Sequence, residues 1–178
     1  MGARQIHYIV VHHPADDNID KTLRDHIRSP FTDAPYDFWL EYPSGDLVKG
    51  RSLAKKGAHI VPDYVWAKHV NNSSAIGVAF EGNFDDEKPP FEPSGRQIER
   101  GAALIGQLCA EWNIHPYDSQ EALKAGQGVV PHCVVSQTAC PGRHFLVHWK
   151  RLIGKARYYY NTEKEVNHGP SKVRSTPR

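Results

Sequence analysis

Two short β-rich runs, Ile6-His-Tyr-Ile-Val-Val11 and Ala75-Ile-Gly-Val-Ala-Phe80, constrain the fold of this chain more than any other feature. Uninterrupted runs of this length form strands buried on both faces, and such strands need helices to cover them. The spacing supplies those helices. From Ser94, a residue suited to an N-cap, to Trp112, apolar residues recur at Ile98, Ala102, Ile105, Leu108, Cys109 and Trp112, one face of a helix. Phe145 to Ala156 predicts a last helix, and Ile19 to Ile27 a short amphipathic one with Asp16, Asp17 or Asn18 as its cap. Tyr36–Tyr42 and Leu47-Val-Lys49, joined through Pro43-Ser-Gly-Asp46, read as a hairpin. Val129-Val130 leads into a loop at His132, and Asp85 to Pro93 is a charged loop with prolines. Strands and helices interleave around one sheet, so the expected class is α/β.

The chain has 178 residues, enough for one domain whose core folds without disulfides. Its three cysteines, Cys109, Cys133 and Cys140, form no disulfide framework. A formal charge of +2 is too small to argue for nucleic acid as a partner. No stretch approaches the roughly 20 apolar residues of a membrane span. The N-terminus carries no apolar secretory region, so a cytoplasmic location in the producing cell is expected. Asn161–Arg178 has few large apolar residues and is expected to be a flexible tail behind a domain of residues 1–160.

The first strand ends at His12-His13, and the later segment His132-Cys-Val-Val-Ser-Gln-Thr-Ala-Cys140-Pro-Gly adds a histidine and a cysteine. Imidazoles and a thiolate together suit zinc, and three protein ligands leave a fourth position open for chemistry. Spacing alone leaves plainer alternatives open. A strand-end histidine is often structural, a loop histidine is often only polar surface, and a cysteine before Pro-Gly can be a small buried thiol. Adjacent strand residues face opposite sides, so only one of His12 and His13 can reach a shared ion.

These residues are accompanied by others in a collinear order across residues 6–150. They are Ile-Val-Val-His12-His13, Tyr36-Asp-Phe38, Gly45-Asp-Leu-Val-Lys-Gly-Arg51, Gly57-Ala-His59, Ser74-Ala-Ile-Gly-Val78, and His132 separated by seven residues from Cys140-Pro-Gly. The chain thereby resembles the zinc-dependent N-acetylmuramoyl-L-alanine amidases, of the type shared by phage amidase lysozymes and peptidoglycan recognition proteins. The resemblance implies a single domain with a central mixed β-sheet flanked by helices, and one zinc ion held by His12, His132 and Cys140. It implies that Tyr36 lines the active site as a hydrogen-bond donor. Thr138 stands where the family carries lysine or threonine. His59 becomes a candidate substrate contact. Ile60–Ser73 is longer than the family's link, so Trp66 and His69 within it are candidates for a wall of the substrate groove, with an idle extra turn as the alternative. Trp39 and Trp66 are candidate aromatic edges of that groove. The family's Tyr-His-Phe element reads Tyr36-Asp37-Phe38 here, which changes the local polarity. A glutamate that a second subgroup uses is Ala79, so its mechanism does not carry over.

The activity implied is hydrolysis of the amide between N-acetylmuramic acid and L-alanine, with peptidoglycan or muropeptides as partners, no membrane insertion and a monomeric enzyme. A phage or prophage endolysin that acts on the wall after release fits these expectations, and a cytosolic muropeptide-recycling amidase is the rival. A peptidoglycan-binding module without activity is the alternative of a different class, and a structural zinc domain would need a fourth ligand such as Cys133.

Overall fold

The two β-rich runs lie side by side in the middle of one sheet. The computed structural model describes residues 4–14, 35–61, 63–85 and 92–168. Among the described residues five strands, β1 (Tyr8–His12), β2 (Phe38–Leu40), β3 (Leu47–Lys49), β4 (Ala75–Phe80) and β5 (Gly128–Pro131), are arranged in the order β3-β2-β4-β1-β5. β1 is parallel to β4 and β5, β4 is parallel to β2, and only β3 runs antiparallel, as the second arm of the expected hairpin. The sheet is therefore mixed and the class α/β.

Side chains alternate between the two faces of a strand. Ile9, Val11, Ile76, Val78, Phe80, Phe38 and Leu40 point to one face and form the main core. Two helices cover it, α1 (Gly95–Glu111) through Ile98, Ala102 and Ile105, and a long C-terminal helix through Leu152, Ile153 and Ala156. The start of α1 is fixed by a capping box, in which the Ser94 hydroxyl accepts the Gln97 N–H and the Gln97 side chain accepts the Ser94 N–H. The other face carries Tyr8, Val10, Ala75 and Val130 beneath Ile60, Ala67, Val70 and Ala122. His12, Gly77 and Trp39 share that face by parity, since His12 and Trp39 are both level with Ala79.

The C-terminal half departs from expectation in three places. A seven-residue helix, α2 (Ser119–Ala125), precedes β5 where the sequence carries too few apolar residues to show it. The single helix expected from Phe145 to Ala156 is two, α3 (Arg143–Val147) and α4 (Trp149–His168), separated at His148. Phe145, Trp149, Leu152, Ile153 and Ala156 all enter one core, so the apolar spacing runs through the break and conceals it. Finally, α4 continues through Asn161–His168, past residue 160 where the domain was expected to end. The segment buries little, but a helix already nucleated propagates cheaply through Glu and Lys, and Lys164 donates to Asn113 Oδ1 at 3.0 Å. Residues 169–178, the helix expected at Ile19–Ile27 and most of the Asp85–Pro93 loop lie outside the described residues. Among the described residues, no helix is long and apolar enough to cross a membrane.

Candidate metal centre

Parallel strands bring their carboxyl ends to one edge of a sheet, the usual place for a ligand site in open α/β sheets. His12 closes β1, His132 follows the last residue of β5, and Asn83 and Asp85 follow β4. Because Val11 pairs with Pro131, His12 and His132 stand level, with ring centroids 4.5 Å apart. The loop after His132 folds back on itself: the Cys133 N–H donates to the Cys140 carbonyl at 2.7 Å, and the Cys140 N–H to Thr138 Oγ1 at 3.2 Å. That returns the Cys140 thiol to the strand end, where the His13 N–H donates to Sγ at 3.3 Å.

One potential ligand atom from each of His12, His132 and Cys140 lies within 4.8 Å of the others, with His12 Nδ1 3.7 Å from Cys140 Sγ. No fourth His, Cys, Asp or Glu among the described residues joins them, Cys133 included. His13 is excluded by its orientation. Its ring stacks on Phe84 and its Nδ1 accepts the Phe84 N–H at 3.0 Å.

The donors fit a zinc ion chemically. Burial drives the His12 imidazole well below its ordinary pKa, helped by His59, His132 and His13, and burial lowers His132 to about 4 against the pull of Asp63. Both rings are therefore neutral at physiological pH, as ligands must be. His132 Nε2 is buried without a hydrogen-bond partner. Burial pushes the Cys140 thiol up to about 12, so its anion is stable only beside a cation. Two imidazoles and a soft sulfur are a zinc donor set.

An open cleft of about 610 Å³ adjoins these groups, and Tyr36, Thr138, Asn83 and Asp85 line it together with His132 and Cys140. Tyr36 is propped edge-on against Trp39, and its ring centroid is 4.8 Å from that of His12. Burial and then Cys140 raise its phenol above the ordinary value of 10, so the group remains an O–H donor. Thr138 is exposed on the rim.

The three expected substrate contacts are placed elsewhere. His59 is buried, with Nδ1 2.9 Å from His12 Nε2, so it touches a candidate ligand and does not line the cleft. Trp66 is 61% exposed but stacks on Tyr64, beside Gln120, Leu123 and Lys124, away from the cleft. His69 packs on Tyr8. Trp39, expected as a groove edge, is buried as the prop of Tyr36. The 60–73 segment braces the ligand loop: Ser136 Oγ donates to the Val61 carbonyl at 2.5 Å and the Gln137 N–H to Asp63 Oδ2 at 3.0 Å. Asn83 and Asp85 are not among the site residues that the sequence singles out. Their place just past the carboxyl end of a buried strand is the signal that marks them.

The profile of the N-acetylmuramoyl-L-alanine amidase family matches residues 2–143 of this chain. The chain belongs to that family. It is 31% identical over 127 residues to a peptidoglycan-recognition protein of Drosophila simulans, an alignment covering 71% of this chain and 58% of that protein. The chain thus spans less than two thirds of the curated relatives it matches. Among solved structures, the N-acetylmuramoyl-L-alanine amidase LysC from Clostridium intestinale URNW superposes with a TM-score of 0.59 at 26% identity, covering 85% of each chain. The endolysine N-acetylmuramoyl-L-alanine amidase LysCS from the same organism gives the same score and identity over 85% of this chain and 83% of that one. A Drosophila peptidoglycan recognition protein of the SA type, 20% identical with a TM-score of 0.57 over 83% and 79% of the two chains, shares the fold.

Proposed function

We propose that this chain is a zinc-dependent amidase that cleaves the bond between N-acetylmuramic acid and L-alanine in peptidoglycan. The observation that carries the proposal is the convergence of two neutral imidazoles and one thiol, with no fourth ligand among the described residues, beside an open cleft. His12, His132 and Cys140 would hold one zinc ion. Bound there, zinc supplies Lewis acidity, polarising an amide carbonyl and making water nucleophilic near neutral pH. The chain's own residues do the rest. The Tyr36 O–H, kept protonated by its burial, donates a hydrogen bond to the oxyanion that develops at the lactyl carbonyl. The Thr138 hydroxyl, on the rim, orients the attacking water. The open, polar-walled cleft suits an extended glycan–peptide better than a compact apolar ligand. Likeness to the endolysine amidase LysCS supports a role as a phage or prophage endolysin.

Purified protein added to a cell-wall suspension should lower turbidity and release new L-alanine amino ends. A strong chelator should stop both, and added zinc should restore them. Cleavage that persists after complete metal removal would contradict the proposal, and so would wall binding without new amino ends. Tyr36→Phe should lower kcat about 10²-fold while leaving zinc content unchanged. A variant within about two-fold of the parent would remove Tyr36 from the chemistry.

A further inference from the structure

The glycines of Gly57-Ala-His59 and Ile76-Gly77-Val78 share one structural reason, the imidazole of His59. A Cβ on Gly77 would stand 2.7 Å from His59 Cγ and 2.9 Å from Nδ1, and one on Gly57 would stand 2.8 Å from Cδ2. Only bare backbone on both sides lets the ring lie where it does. Asn72 fixes its main chain. Asn72 Oδ1 accepts the N–H groups of His59 and Ile60 at 2.9 and 3.0 Å, and the Asn72 carbonyl accepts the Gly57 N–H at 2.9 Å.

The seated ring has two different neighbours. His59 Nδ1 is 2.9 Å from His12 Nε2, a distance that requires one proton between them. His59 Nε2 faces the other way, to Asp37 Oδ2 at 3.8 Å, with the Ala75 carbonyl a further acceptor for the ring. Asp37 is itself anchored, since its Oδ2 accepts the Gly77 N–H at 2.7 Å and its Oδ1 lies 3.5 Å from Arg4. Arg4 is in turn held by the carbonyls of Lys55 at 2.9 Å, Asn72 at 3.1 Å and Ala75. A carboxylate beside Nε2 favours the His59 proton on that nitrogen, which leaves Nδ1 as an acceptor. The proton between the rings then belongs to His12 Nε2, and His12 Nδ1, 3.7 Å from Cys140 Sγ, keeps its lone pair free.

Building on the metal-centre reading above, we propose that His59 is a positioning residue that fixes His12 as the Nε2–H tautomer and so presents His12 Nδ1 to the metal, with Asp37 setting the polarity of the pair. Histidine ligands are generally oriented by a group that accepts their second N–H, and loss of that group weakens metal binding about 10- to 100-fold. Here the acceptor is a neutral imidazole, and the chain places an aspartate behind it.

The test uses the full-length protein, with and without zinc. Long-range proton–nitrogen correlation spectra report which nitrogen of each histidine carries the proton. They should show His12 and His59 both protonated at Nε2 in the metal-free parent. His59→Leu should lose the single His12 tautomer and bind zinc about 10- to 100-fold more weakly in competition with a chelator. His59→Asn places an amide oxygen where Nδ1 stands, and should keep both the tautomer and an affinity within about three-fold of the parent. Gly77→Ala, which displaces the ring without altering any polar group, should behave like His59→Leu and serves if that variant does not fold. A His12 proton on Nδ1 in the parent would overturn the inference, and so would equal zinc affinities in the Leu, Asn and parent proteins. A parent with the expected tautomers that binds no zinc would refute the proposed function and leave the pairing of His12 and His59 intact.

Discussion

Cys140→Ser should abolish wall cleavage, by at least about 10³-fold, while the protein remains folded. The side chain is almost isosteric and buried, so the packing around it changes little. The chemistry changes a great deal. The serine hydroxyl is a hard, neutral donor where zinc needs a soft anion, and at neutral pH it cannot take the place of a thiolate. The fall in activity should therefore be accompanied by a fall in bound zinc, and the melting temperature should match that of the metal-free parent. His132→Ala should lose zinc in the same way. Full zinc occupancy in either variant would overturn the ligand assignment, because three ligand atoms within 4.8 Å leave no spare donor among the described residues.

Phe145→Ala is the substitution expected to cost most in stability. Phe145 is fully buried, edge-on to Phe80 at 4.8 Å between ring centroids and 5.6 Å from Phe84. Truncating a buried phenylalanine costs about 3–5 kcal/mol, which for a chain of this size lowers the melting temperature by about 10 °C. The site should also suffer. Phe145 anchors α3 shortly after Cys140, the His144 N–H donates to the Phe84 carbonyl at 3.0 Å, and Phe84 in turn holds His13. Thermal melts with zinc titrations would show both effects, a lower midpoint and a weaker metal affinity. A shift of less than about 2 °C would mean that the aromatic cluster contributes little.

The central sheet is legible in the sequence because β1 and β4 are β-rich without interruption, and such runs have few ways to be buried. The helix at Ser94 is legible for a similar reason, with a cap and several turns of consistent spacing pointing the same way. What stays concealed is what local pattern does not encode. The break at His148 disappears because Phe145 and Trp149 serve one core, and the extension of α4 past Tyr160 has no buried face to advertise it. At the site, strand parity says only that one of His12 and His13 can serve beside His132 and Cys140; the resemblance picks His12, and the structure agrees with that choice by engaging His13 with Phe84. His59 misleads because a histidine in a polar segment looks exposed. Its burial depends on two glycines and Asp37, which are spread along the chain and meet only once it is folded. Trp66 and His69 belong to a loop whose length suggests a groove wall, yet that loop braces residues 136–137 from the side.

X-ray absorption at the zinc edge of the purified parent protein tests the account most directly. It should show one zinc per chain, with one sulfur near about 2.3 Å, two imidazole nitrogens at roughly 2.0–2.1 Å and a single further light atom. A shell without sulfur, a second sulfur from Cys133, or a fully active protein that holds no zinc would contradict it.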